Sequence, residues 1–175
     1  GAVMIGTTHF TNALVEARHL CKVGVLRLGA PATLAIRPMV DWPAALRGAV
    51  HGHTEIVPGG LHYDGPPVNT AQEQEAAGLV QDMLPAARIA LSAQIGRIGL
   101  IERENAAIMN AALLPMAERV VQSFRRALVD LGLRAPFYVS QNDGTLLDPD
   151  VVARYPVLTF ASGPTNSMRG AAFLS

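Results

Sequence analysis

Three short segments of this chain carry residue types suited to holding an anion. Gly6-Thr7-Thr8 follows one β-prone run, Asn142-Asp143-Gly144-Thr145 follows another, and Ser162-Gly163-Pro164 follows a third. They share one grammar: a short apolar run stops at a small, polar, Gly-containing turn, and helix-compatible sequence follows. At such a handover, free backbone N–H groups collect and the helix dipole adds partial positive charge. Phosphate is the natural guest. Each segment also has a plainer explanation. Gly6–Thr8 can be a capped strand-to-helix turn. Asn-Asp-Gly is a favoured tight turn, because Asn and Gly tolerate positive φ. Ser-Gly-Pro at a helix start is the best anion candidate of the three.

The histidines offer a second chemistry. His51 and His53 are two apart, so a strand would put both on one side, and His62 lies across a potential hairpin. Three imidazoles could bind zinc, but no carboxylate or thiol spacing supplies a fourth ligand, and the expectation is no metal site. Cys21 sits beside Lys22, whose ammonium could lower a thiol pKa, but no histidine partners it at a diagnostic spacing. A buried structural thiol is expected. The chain has no Gly-x-Ser-x-Gly elbow and no Gly-x-x-x-x-Gly-Lys-Ser/Thr loop, so serine hydrolase and P-loop chemistry lack support.

Several elements must position these residues. Val3–Ile5 reads as a buried strand, with Thr8 or Thr11 capping the helix that follows. Lys22–Leu28 reads as a second strand, closed by Gly29. Pro43 can open a short helix through Leu46. Pro58-Gly59-Gly60 predicts a hairpin over 51–64. Asn69 or Thr70 can cap a helix running through Leu84, and Ala87–Leu91 predicts a strand. From 99 to 131, apolar residues recur at spacings of three and four, among them Leu113, Ala117, Val121, Phe124 and Leu128. Pro115 should kink or divide that long helix, and Gly132 is its expected C-terminal cap. Glu102–Glu104 reads as its solvated start. Phe137–Val139 and Val157–Phe160 predict strands, Asp148-Pro149 a short helix, and Pro164 the start of the last one. This alternation predicts an α/β fold with a largely parallel sheet.

Composition narrows the function classes. Half of the 175 residues are apolar, 16% are charged, 5% are aromatic and the formal net charge is zero. Such a chain buries a sizeable core. It lacks the charge to capture nucleic acid or an anionic membrane, and the aromatics to stack bases. No segment has the ~18 consecutive apolar residues that span a bilayer. The single cysteine, Cys21, fits a reducing cytoplasm. The start reads as mid-strand and the end as a helix cut short, so an internal fragment is expected.

Taken together, the segments resemble the hydantoinase A / 5-oxoprolinase family. Gly6-Thr7-Thr8-His9-Phe10-Thr11-Asn12-Ala13-Leu14 is similar to that family's Gly-Thr-Thr-x-x-Thr-Asn-Ala-Leu segment. Glu102, Arg103, Asn110 and Ala111 resemble its Glu-Arg and Asn-Ala helix. Ser140–Leu147 resembles its Ser-x-Asn-Asp-Gly-Thr-Leu turn, and Ser162-Gly163-Pro164 with Gly170-Ala171 its Ser-Gly-Pro segment. The likeness is weakest between Ala30 and Ala90.

The resemblance implies an actin-like, ribonuclease H-like ATPase fold, divided at 1–95 and 96–175. It implies ATP-driven opening of a stable cyclic amide such as 5-oxoproline or a hydantoin, with ATP and Mg²⁺ as cofactors of the full-length enzyme. It makes Gly6, Thr7, Thr8, Asn12, Asn142, Asp143, Gly144, Thr145, Ser162, Gly163 and Pro164 candidates for nucleotide or substrate binding. Asp143 could orient Mg²⁺ or water, and His9 is the histidine to test as a general base. The family's Asp-x-Gly-Gly-Thr loops do not occur in these residues, so the fragment alone is expected to be inactive. A hydantoinase B-type subunit and homo-oligomers are the partners the family allows. The alternatives are a non-catalytic actin-like scaffold that binds ATP, or a small-molecule kinase of the same fold.

Overall fold

The computed structural model describes residues 1–59, 70–84, 87–96 and 99–174. It packs as two units, Gly1–Leu20 with Leu113–Ser175, and Cys21–Ala112. The fold is mixed α/β; the described residues form one long helix, shorter helices and two small sheets.

The first unit is organised by β1 (Val3–Ile5), which pairs in parallel with β4 (Phe137–Ser140). Val3 lies opposite Phe137 and Ile5 opposite Val139. A short β5 (Leu146–Leu147) adds to the far side of β4, antiparallel. The core under this sheet comes from Phe10, Ala13 and Leu14 of α1 (His9–Val15) and from Leu113, Ala117 and Val121 of the long helix, with Phe137 and Val139. The Phe124 and Phe137 rings meet at a tilted angle, centroids 6.2 Å apart. β1 is half-buried rather than buried, because Met4 is 68% exposed.

Two expected strands did not form. Val157–Thr159 lies in a 3-10 helix over Pro156–Thr159 that follows α6 (Pro149–Arg154), and Phe160 ends it. Pro156 sets φ at its first position, and the Thr159 hydroxyl donates back to the Pro156 carbonyl at 2.8 Å, closing the turn. Ala87–Leu91 is irregular. Alanine at two of its positions supplies little β-propensity, and no described strand pairs with it.

In the second unit, β2 (Val23–Ala30) pairs in parallel with β3 (His51–Pro58), joined through α2 (Ala44–Val50). A parallel partner needs such a crossover. The rest of the expected hairpin, with Gly60 and His62, lies outside the described residues, as does Asn69 before α3 (Thr70–Met83). A one-turn helix, α4 (Ser92–Ile95), follows.

The face that β2 buries carries an arginine. Arg27 is 6% exposed while Leu26 beside it is 44% exposed. Its guanidinium forms a two-pronged pair with Glu104, both bonds at 2.7 Å, and also donates to the carbonyls of Thr33 and Ile36. Glu104 is therefore not part of a solvated helix start. It is enclosed because Arg27 needs a counter-charge inside the unit.

The long helix, α5 (Leu100–Asp130), runs unbroken past Pro115. Proline has no N–H to offer the Ala111 carbonyl four residues back. The Cys21 thiol donates to that carbonyl at 3.4 Å, and the Cys21 backbone N–H takes the Ala112 carbonyl at 3.0 Å. Burial raises the thiol pKa, so Cys21 is the structural cysteine expected. At its far end α5 closes on Gly132, φ 68°. Gly132 and Leu133 donate back to Val129 and Leu128, the Schellman arrangement.

Glu104→Ala strands the buried Arg27 charge, and the expected loss is on the order of 3–5 kcal/mol. The double variant Arg27→Met/Glu104→Leu recovers part of it. Urea midpoints of the three proteins check this, and equal losses in the single and double variants would count against a charge-specific role.

Candidate functional site

The nucleotide- and substrate-site candidates of the sequence fall in the first unit, and three segments of it meet. Because β1 and β4 are parallel and in register, the chain leaves both at the same edge of the sheet. Gly6–Thr8 emerges from one and Gln141–Thr145 from the other, and the Ser140 hydroxyl bridges to the Ile5 carbonyl at 3.4 Å. The third segment is the start of α7 (Ser162–Leu174), two residues earlier than the Pro164 start expected.

α7 is fastened to both turns. The buried Ser162 hydroxyl donates to the Thr7 carbonyl at 3.5 Å. One turn later, the Thr165 hydroxyl donates to the Asn142 carbonyl at 2.7 Å, and Arg169 donates to the Gly144 carbonyl. The Asn166 amide nitrogen lies 3.3 Å from where a Cβ on Gly6 would sit. Gly144 is required twice over. Its φ is 82°, and a Cβ there would stand 2.6 Å from the Arg169 Cδ and 2.9 Å from the Thr165 Cγ2.

The individual residues divide into fasteners and exposed groups. Thr7 is buried and its hydroxyl accepts the His9 N–H at 3.2 Å. Thr7, not Thr8 or Thr11, thus serves the start of α1; Thr8 occupies the cap position with no side-chain bond. Thr8, His9 and Asn12 are exposed along the start of α1. Asn142, Asp143 and Thr145 are exposed on the second turn, Gly163 is half-buried and Pro164 exposed.

The expectation that free N–H groups collect at Asn142–Thr145 is not met. Gln141 donates to Thr145, Asn142 to Leu158 and Gly144 to Gln141. The Thr145 N–H goes to Asp143 Oδ1 at 2.8 Å, and the Thr145 hydroxyl to the same oxygen at 2.7 Å. A turn this well satisfied presents a carboxylate rather than an anion cradle. The Thr145 hydroxyl bond, then its N–H bond, hold the Asp143 pKa below its ordinary 3.8.

The third anion candidate is the first turn of α7. Ala161 before it has φ 55° and carries no capping oxygen, so the N–H groups of Ser162 and Gly163 are left without a side-chain cap from that residue. Pro164 contributes none. A Cβ on Gly163 would meet nothing within 4 Å, which leaves the backbone open to a ligand's close approach. Positive helix end and carboxylate thus flank one edge, an arrangement suited to a cation-bound phosphate.

The histidines weighed as zinc ligands lie elsewhere. His51 and His53 are exposed in the second unit, His53 Nε2 standing 3.5 Å from a Glu55 oxygen, and His62 lies outside the described residues. Among the described residues no group of three His, Cys, Asp or Glu is placed to hold a metal. Nor is any described helix long and apolar enough to cross a membrane. Thr165, Asn166 and Arg169 escaped notice in the sequence. Their signal was the four-residue spacing of Thr165 and Arg169 along one helix face.

The geometry is that of an α/β protein with its polar residues gathered at the carboxyl ends of parallel strands. Comparison with known families adds one finding: residues 103–175 are similar to the hydantoinase/oxoprolinase family. The matched residues include Asn142–Thr145 and Ser162–Arg169; Gly6–Asn12 precedes them. No curated protein matches the chain.

Asp143 should titrate below 3.8, with Thr145→Val moving it upward. Because its folded-state pKa is depressed, its contribution to stability is present above the unfolded pKa and fades as pH falls through the folded value. Carboxyl carbon shifts followed by NMR test this; an unmoved Asp143 in Thr145→Val would remove the assigned cause.

Proposed function

We propose that this chain belongs to an ATP-dependent hydrolase that opens a stable cyclic amide, 5-oxoproline or a hydantoin, on an actin-like scaffold. The observation that carries the proposal is the convergence, within one unit, of two strand-end turns and the start of α7, largely inside the segment matched to hydantoinases and oxoprolinases.

In such an enzyme ATP with Mg²⁺ supplies the phosphoryl group that activates the amide oxygen, so that water attacks a more electrophilic ring carbon. The residues of this chain would bind and orient. The open backbone at Gly163 and the first-turn N–H groups of α7 would receive phosphate oxygens. Asp143, its Oδ1 held by Thr145, would face the cation or a water in its shell. Ser162 and Thr7 would keep the two turns at a fixed separation. His9 and Asn12 border the same edge, where a ring amide could be oriented. Positioning and charge neutralisation account for most of the catalysis available to such a site.

The full-length enzyme is expected to release phosphate from ATP only when 5-oxoproline or a hydantoin is present. Coupled phosphate assays with a panel of cyclic amides and sugars decide the class. Release with sugars alone points to a kinase, and binding of ATP without release under any substrate points to a scaffold.

Gly163→Ala separates ligand approach from folding. The added methyl meets no protein atom and alanine favours a helix over glycine by up to about 1 kcal/mol, so thermal stability should hold or rise. If phosphate lies on that backbone, the KM for ATP should rise roughly tenfold, about 1.4 kcal/mol of binding. Unchanged KM would place the phosphates elsewhere.

A further inference from the structure

We propose that Arg169 is a positioning residue of this site, pinning the Gln141–Thr145 turn to α7 through the Gly144 carbonyl. The inference rests on the nucleotide-binding role proposed for the site, and it concerns a residue outside all three turn segments.

The turn closes on itself through the bonds of Gln141, Gly144 and Thr145. What such closure leaves over are carbonyl oxygens, and α7 collects two of them. Thr165 takes Asn142's and Arg169 takes Gly144's, from positions four apart on one face of the helix. Two anchors fix an orientation where one would permit a swing. Arg169 is well suited to the second anchor. Its Cδ lies beside Gly144 so closely that a methyl there would reach 2.6 Å, so side chain and backbone are in direct contact. Both hydrogen bonds to Asp143 fall on Oδ1. The orientation Arg169 enforces therefore decides where Asp143 Oδ2 faces.

A cation near a phosphate site could instead grip the phosphate directly. The two roles respond differently to substitution. Glutamine carries its amide nitrogen on Cδ, the atom already beside Gly144, so Arg169→Gln can keep a donor on that carbonyl without any charge. Arg169→Met keeps the stem and loses the donor.

Amide spectra of the isotope-labelled 175-residue chain should show Asn142–Thr145 close to wild type in Arg169→Gln, and shifted or broadened in Arg169→Met. In the full-length enzyme, Arg169→Met should lower kcat on the order of ten- to a hundredfold, the scale of a displaced group. Its KM for ATP should stay within about twofold, because the lost interaction acts on the transition state. Arg169→Gln should retain most of kcat. An unperturbed turn in Arg169→Met would overturn the proposal, as would an equal rise in KM for both variants, which marks a charge contact with phosphate. If wild-type enzyme hydrolyses no ATP with any cyclic amide, the assignment as a hydrolase falls, while the spectra still decide the role of Arg169.

Discussion

The candidate site depends first on the parallel pairing of β1 with β4. Only three residue pairs are in register, Val3 with Phe137 through Ile5 with Val139, yet they fix the geometry of everything beyond. Parallel strands end on the same side, so Gly6 and Gln141 must leave the sheet as neighbours. A shift of one residue would turn Phe137 and Val139 out of the core and Tyr138 into it. The pairing is short, so its register is held from below by the apolar face of α5 and laterally by the Ser140 hydroxyl on the Ile5 carbonyl. Packing thus secures what so few ladder bonds could not.

Above the sheet, polar groups are divided by burial. Thr7 and Ser162 are each under a tenth exposed, and their side-chain oxygens are committed to protein partners. A buried hydroxyl without a partner costs a few kcal/mol, on the order of 1–3. These two are therefore tied to the fold, however suggestive their motifs. Asn142, Asp143, Thr8 and His9 remain exposed. Ser162, a strong candidate on sequence grounds, acts as a fastener, and in the proposed site the N–H of its neighbour Gly163 would be left to face a ligand.

What the sequence made legible were features whose cause is local. The apolar recurrence of α5, its glycine cap at 132, the Asp148-Pro149 helix start and the strands at 3–5 and 137–140 all follow from short-range rules, and the structure contains them. Misplaced features needed information from distant residues. Val157–Phe160 has strand composition, but Pro156 and Thr159 fold it into a tight helical turn. Arg27 resembles an exposed strand residue until Glu104, far along the chain, supplies its partner. The site was legible in its three turns and opaque in its fastenings. Nothing near Asn142 or Gly144 announces that a helix beginning some twenty residues later will cover their carbonyls.

That covering gives the site its electrostatic character. Carbonyl oxygens at a strand end carry partial negative charge and repel an incoming phosphate. Here the oxygens of Thr7, Asn142 and Gly144 each accept a donor from α7. The helix thereby masks acceptor groups of both turns while its own first-turn N–H groups remain available. One element both quiets the negative dipoles and presents the positive end. Asp143 is left as the prominent negative group on that turn, its pKa lowered by the hydrogen bonds from Thr145. In the proposed site, one carboxylate beside that helix start would favour a ligand that brings both charges, a divalent cation riding on phosphate, over a bare anion, which Asp143 would oppose.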